Sequence, residues 1–132
     1  MHKGATCVGA DESLRSAAEL MRTLDVGALP ICGYDGRLVG ILTDRDIVVR
    51  CLALGLDPAT TTTGRLARGT PWTIEASATI DEAVEIMERH RVRRLPVLEH
   101  GRLVGMISEA DISRHLSDDK IAHFVEAICA PV

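Results

Sequence analysis

The chain has 132 residues, enough for one compact fold and too few for two independent domains. Hydrophobic residues make up 46% and aromatics only 2%, and the formal net charge is −4. This balance excludes ring-stacking platforms and aromatic cages, and leaves no global basic field for nucleic acid or an anionic membrane.

In chain order, the first short strand is expected at about Thr6–Val8. An amphipathic helix follows, with Leu14, Ala17, Ala18 and Met21 at i, i+3, i+4 and i+7 and Ser13 as its N-cap. A strand is expected over Ala28–Cys32, then a turn at Asp35-Gly36. The next strand, Leu38–Leu42, is almost continuously apolar and reads as buried on both faces. A helix starts at Asp44, with Gly55 as its stop and Pro58 beyond. Leu56–Gly69 reads as a loop, because Thr60-Thr61-Thr62-Thr63 is β-branched and polar, with one short turn at Arg65–Arg68.

The same order then returns. It runs through a strand at Trp72–Glu75, a helix with Ile80, Ala83, Val84 and Met87 on one face, and a strand at Arg94–Leu98. Thr79 and Glu82 form a capping-box pattern at the helix start. A turn at His100-Gly101, a strand at Leu103–Ile107 and a helix from Glu109 complete it. A closing helix is expected over Asp118–Ile128, with Ile121, Phe124, Val125 and Ile128 in one stripe and Ser117 as N-cap.

This recurrence is an internal repeat. Gly36-Arg37-Leu38-Val39-Gly40 is identical to Gly101-Arg102-Leu103-Val104-Gly105, and Leu29-Pro30-Ile31 matches Leu95-Pro96-Val97. The offset is 66 residues up to the prolines and 65 after them. The expected organisation is repeat 1 over 1–55, a linker over 56–69, repeat 2 over 70–116, and a helix and tail over 117–132. By the offset Met1 aligns with Ala67, so the first repeat lacks most of the lead-in that the second has, and a longer native N-terminus is an open reading. The fold class is α/β (α+β), two tandem β-α-β-β-α units, neither expected to be stable alone.

The pattern that could carry chemistry is Gly-x-x-[Thr/Ser]-x-x-Asp at the junction of last strand and last helix: Gly40, Thr43 and Asp46, then Gly105, Ser108 and Asp111. One reading is structural, since Thr or Ser at an N-cap with an acid three residues on is a reciprocal cap. The other is a ligand site. Free N–H groups at a helix start suit a phosphate, a hydroxyl can donate to it, and an Asp can accept from a ribose diol. Aliphatic side chains can sandwich an adenine, so the scarcity of aromatics does not count against a nucleotide.

These motifs identify a resemblance. From about Ala5 to His115 the chain resembles a tandem pair of CBS domains (the domain named after cystathionine β-synthase), a Bateman module, of the small stand-alone kind found in actinobacteria. The resemblance implies two copies packed about a pseudo-two-fold axis, with two clefts between them. It implies that an adenosyl ligand binds there: AMP, ADP, ATP, S-adenosylmethionine or a dinucleotide such as NAD. By that likeness Thr43 and Ser108 contact ribose or phosphate, Asp46 and Asp111 hold ribose hydroxyls, and Leu29, Leu95 and Arg94 line the base pockets. No further cofactor is implied. The likeness also implies a homodimer with helix faces stacked, and a separate effector protein to carry the signal. The alternative remains a structural or interaction protein whose motifs only cap helices.

The copies differ in charge. Arg89-His90-Arg91-Val92-Arg93-Arg94 replaces Thr23-Leu24-Asp25-Val26-Gly27-Ala28, and Arg45 faces neutral Ala110 in the alignment. These arginines read either as phosphate ligands or as a solvated basic surface. Catalysis is not expected: there is no Gly-x-Ser-x-Gly elbow, no phosphate-binding loop of the Walker type and no His-x-x-x-His pair. No Cys-x-x-Cys occurs, which argues against structural zinc. Cys32 and Cys51 read as buried thiols. For Cys7 and Cys129, near opposite ends of the chain, a disulfide and two free thiols are both open. No apolar run approaches the roughly 20 residues of a membrane span, and Met1-His2-Lys3-Gly4 leads into no signal-peptide stretch. The expected setting is cytoplasmic, with no membrane partner.

Overall fold

The structure, a computed structural model, describes residues 2–3, 6–67, 69 and 71–114. The closing helix expected at Asp118–Ile128 and Cys129 lie outside them. The chain divides into two compact units, Ala5–Pro71 and Met1–Gly4 with Trp72–Val132. Each is described by itself.

The first-repeat unit starts with β2 (Val8–Gly9); β1 (His2–Lys3) precedes it in the chain but belongs to the other unit. Helix α1 (Leu14–Leu24) is opened by Ser13, whose side chain accepts from Ser16 N, and closed by Asp25 in the left-handed region at φ 55°. Its buried residues are Leu14, Ala17 and Met21, while Ala18 is exposed, so the apolar stripe is narrower than its sequence spacing suggests. Strands β3 (Ala28–Cys32) and β4 (Leu38–Thr43) form an antiparallel hairpin, and β2 joins β3 in parallel, giving the order β2-β3-β4. Along β4 only Gly40 and Leu42 are buried, so the strand alternates and is not buried on both faces as its composition implies. Helix α2 (Asp44–Arg50) stops sooner than expected. A 3-10 turn over Leu52–Leu54 carries the chain to Gly55, which ends it at φ 74°.

The linker is not a plain loop. Thr63 begins a short helix α3 (Thr63–Leu66), and Thr63 and Leu66 are buried. Thr63 Oγ1 donates to Gly9 O at 2.7 Å, so the β-branched polar run that argued for a loop instead satisfies a half-buried carbonyl. Val8, Leu14, Ala17, Met21, Leu29, Ile31, Leu42, Ile47, Cys51 and Leu66 make the core of this unit. Because Leu66 joins that core, the linker packs with the first repeat and the unit runs on to Pro71.

The second-repeat unit has β5 (Ile74–Glu75), α4 (Ile80–His90), β6 (Arg94–Glu99), β7 (Arg102–Ser108) and α5 (Glu109–Ser113). Thr79 and Glu82 form a complete capping box on α4, and Arg91 ends it at φ 53°. Ala83 and Met87 are buried, but Ile80 is 39% exposed, so the expected stripe starts one turn later. His100 and Gly101 both take positive φ, 52° and 78°, which is what a two-residue hairpin needs to match strand twist. The sheet order is β1-β7-β6-β5. The added strand is β1, antiparallel to β7 with His2 opposite Met106 and Lys3 opposite Gly105.

By the repeat offset, β1 corresponds to residues just after Ala67. Ala67 itself lies on β4: a Cβ added to Gly40 would meet Ala67 Cβ at 2.9 Å. Each repeat's lead-in therefore covers the last strand of the other repeat. Gly40, the second glycine of the first Gly-Arg-Leu-Val-Gly, is small because Ala67 lies against it.

The cysteines pair differently from the option open at the sequence level. Cys7 is joined to Cys32, with Cα atoms 5.8 Å apart, so Cys7 is not available to Cys129 and Cys32 is not a free thiol. Parallel pairing of Val8 with Ile31 and Gly9 with Cys32 brings the two side by side, a proximity that follows from sheet register and not from chain ends meeting. Cys51 is free and buried as expected, its Sγ donating to Leu56 O at 3.5 Å.

Candidate functional site

Both copies of the Gly-x-x-[Thr/Ser]-x-x-Asp motif sit where a sheet strand turns directly into a helix. Thr43 ends β4 and caps α2; Ser108 ends β7 and caps α5. In the first repeat Asp46 N donates to Thr43 Oγ1 at 3.0 Å and Thr43 N donates to Asp46 Oδ2 at 3.0 Å. The other carboxylate oxygen, Oδ1, faces Arg50 Nη1 at 3.9 Å. In the second repeat Ser108 N and Ser108 Oγ both donate to Asp111 Oδ2, at 2.9 and 3.0 Å, and Asp111 N approaches Ser108 Oγ at 3.3 Å. Asp111 is only 8% exposed and has Arg114 Nη1 at 4.0 Å from Oδ1.

The strand before each motif supplies the wall. Ala28 pairs with Thr43 and Arg94 with Ser108, placing the residues ahead of each proline beside the helix start. Asp44 N donates to Gly27 O at 3.0 Å and Glu109 N to Arg93 O at 2.9 Å, an identical backbone clasp in both copies. Leu29 and Leu95 come next in these strands. Their side chains are core, 2% and 0% exposed, because a strand directs alternate residues inward. Arg94 is exposed at the start of β6, and Arg45 is exposed in the first turn of α2, its N–H donating to Asp44 Oδ1 at 2.8 Å. Arg89 is engaged in an ion pair with Glu85 one turn back, so the arginine run is partly neutralised on its own helix.

Sequence reading missed Arg50. Its Nη1 donates to Leu66 O at 2.7 Å while facing Asp46, tying the motif helix to the linker. The i, i+4 spacing of Asp46 and Arg50 carried the signal for half of this contact; the carbonyl sixteen residues on did not. A separate concavity of about 380 Å³, lined by Glu75, Ala76, Ser77, Glu99 and His100, lies toward the far ends of β5 and β6 from Ser108.

Two β-α-β-β-α units, each with the same capped strand-to-helix junction, define a CBS-domain pair, and the chain belongs to the CBS domain family: the family's description matches residues 1–52 and 64–118. Among its relatives, Hypoxic response protein 1 of Mycobacterium tuberculosis is 55% identical over 132 residues, covering 100% of this chain and 92% of that protein. A crystal structure of Hypoxic Response Protein I with two coordinated zinc ions superposes with a TM-score of 0.80 at 56% identity, covering 89% of this chain and 95% of that one. The CBS domain protein PAE2072 from Pyrobaculum aerophilum, complexed with AMP, shares the fold with a TM-score of 0.78 at 23% identity, covering 95% and 94%. Among the described residues here, no three His, Cys, Asp or Glu side chains gather in a group that could hold a metal ion. No helix among the described residues is long and apolar enough to cross a membrane.

Proposed function

We propose that this chain is a stand-alone regulatory module that binds an adenine nucleotide or another adenosyl ligand at the strand-to-helix junctions of its repeats. The observation that carries this reading is the duplication of one junction, Thr43 with Asp46 and Ser108 with Asp111, each backed by a main-chain strand edge. Asp46 commits Oδ2 to its cap and turns Oδ1 toward Arg50 at 3.9 Å, a separation longer than a hydrogen bond, which leaves Oδ1 able to accept from a ribose hydroxyl. Thr43 and Ser108 take the ribose or phosphate, and Arg45 and Arg94 reach a phosphate from the exposed side. A protein of the same fold that holds AMP supports the ligand class. AMP, ADP, ATP, S-adenosylmethionine and NAD are the candidates.

The ligand acts by favouring one state of an association, since it shifts an equilibrium only by its differential affinity. Self-association as a homodimer is supported by an apolar run left outside the core: Val48, Val49 and Leu52 are 55%, 44% and 54% exposed. Output passes to a separate effector protein, in the cytoplasm and without catalysis by this chain. The name of its 55% identical relative, Hypoxic response protein 1, supports a role in a stress response.

A second reading has its own observation. Every motif side chain already serves in a reciprocal cap, so a purely structural role is also satisfied. Thermal denaturation with each candidate ligand separates the two. Binding raises Tm by several degrees at ligand concentrations about 100-fold above Kd. The rise shrinks in Asp46→Ala and Asp111→Ala, each measured against its own ligand-free baseline. No rise with any ligand at millimolar concentration selects the structural reading.

A further inference from the structure

The first repeat carries a covalent feature for which the second has no counterpart. By the repeat offset, Cys7 and Cys32 correspond to Thr73 and Leu98. In both repeats the short first strand runs parallel to the strand after the helix: Val8 and Gly9 oppose Ile31 and Cys32, and Ile74 and Glu75 oppose Val97 and Leu98. In both, the next amide donates to the same carbonyl, Ala10 N to Cys32 O at 3.0 Å and Ala76 N to Leu98 O at 2.8 Å. The second repeat forms this pairing with no crosslink, so the pairing itself does not require one.

What differs is the load on β2. Thr63 Oγ1 donates to Gly9 O at 2.7 Å, Gly64 N to Ala10 O at 2.9 Å and Thr63 N to Glu12 O at 2.9 Å. The linker helix α3 therefore hangs from β2 and the turn after it. At its other end Leu66 O accepts from Arg50 of α2. A two-residue strand is a weak anchor for a linker that buries Thr63 and Leu66, and the disulfide fixes that anchor to β3.

We infer that the Cys7–Cys32 disulfide is a redox-sensitive clasp on the linker between the repeats. Oxidised, it holds β2 and, through β2, the linker helix; reduced, it lets both open locally. The reductant is a dithiol. Its thiolate attacks Sγ of half-buried Cys7, the S–S bond breaks, and Cys32 leaves as a thiolate that takes a proton. The second thiol of the reductant then displaces Cys7 as a thiol. Two electrons and two protons have passed to the cysteines, and the reductant is left as a disulfide. Attack falls on Cys7 because Cys32 is only 6% exposed.

Amide hydrogen exchange on the full chain, oxidised and after dithiothreitol, tests this. Reduction accelerates exchange at Ala10, Thr63 and Gly64 by about tenfold or more and leaves Ala76, the matching amide of the second repeat, unchanged. Cys7→Ser exchanges at the reduced rate with or without dithiothreitol. Equal rates in oxidised and reduced protein overturn the clasp, and so does an acceleration at Ala76 that matches Ala10. Peptide mapping of the oxidised protein that finds Cys7 and Cys32 unlinked overturns it as well. No nucleotide enters the experiment, so its outcome is independent of the proposed ligand site.

Discussion

Trp72 and His90 stack face to face, their ring centroids 3.5 Å apart and their planes inclined by 8°. The contact joins the residue two before β5 to the last turn of α4, so it fixes how the chain enters the second-repeat sheet. Trp72 is the chain's only tryptophan and is 55% exposed. His90→Ala uncovers one face of the indole. Its emission then moves to the red and the unit loses about 0.5 kcal/mol, the low end for an aromatic pair because the site is half open. An emission maximum unchanged by the substitution contradicts the stack.

Gly64 sits where α3 meets the turn after β2. A Cβ there would lie 2.8 Å from Ala10 O and 3.2 Å from Ala10 Cβ. The first of these atoms is backbone, so the clash cannot be relieved by a rotamer change. Gly64→Ala gains helix propensity of about 1 kcal/mol, yet the overpacking costs about 1–3 kcal/mol. Chemical denaturation is expected to show a net loss of stability, whereas the same change at an open helical glycine stabilises.

The two motif aspartates differ in what they leave behind when removed. Asp111 is 8% exposed and accepts from both Ser108 N and Ser108 Oγ, while the half-buried Asp46 accepts from Thr43 N. Asp46→Ala costs about 1 kcal/mol, the value of a cap. Asp111→Ala costs about 2 kcal/mol, because two donors lose a buried acceptor. Urea titrations of the two variants give the order, and a larger loss at Asp46 contradicts this account.

Tyr34, the only tyrosine, stands 98% exposed in the first hairpin and donates from its hydroxyl to Asp11 Oδ2 at 3.1 Å. The hydrogen bond to the carboxylate, then its negative charge, raises the phenol above its ordinary 10.0. A raised acid keeps its proton longer in the folded chain than in the unfolded one. Its contribution is therefore complete below pH 10.0 and is lost as pH rises through the folded-state value. Spectroscopic titration of Asp11→Asn places the phenol transition lower than in the parent chain; coincident curves would falsify the contact.

Much of the site was legible because local rules made it. Ser13, Thr43, Thr79 and Ser108 each cap the helix they precede, and three of them close a reciprocal box with an acid three residues on. Such contacts span three residues, so spacing alone declares them. Contacts over longer spans were silent. Nothing near Arg50 announces Leu66 O, nothing near Thr63 announces Gly9 O, and Leu29 and Leu95 could be assigned to a pocket or a core until their burial was known.

The sequence by itself determined the duplication, the order of elements in each copy, the caps and the two strand-to-helix junctions, since periodicity and capping act within a few residues. The tertiary structure decided what the lead-ins meet, that the threonine-rich linker forms a helix that buries Thr63 and Leu66 on the first repeat, and that Cys7 pairs with Cys32. Those outcomes depend on which strand lies beside which and in what register, and a parallel pairing such as Val8 with Ile31 joins residues that no local signal connects.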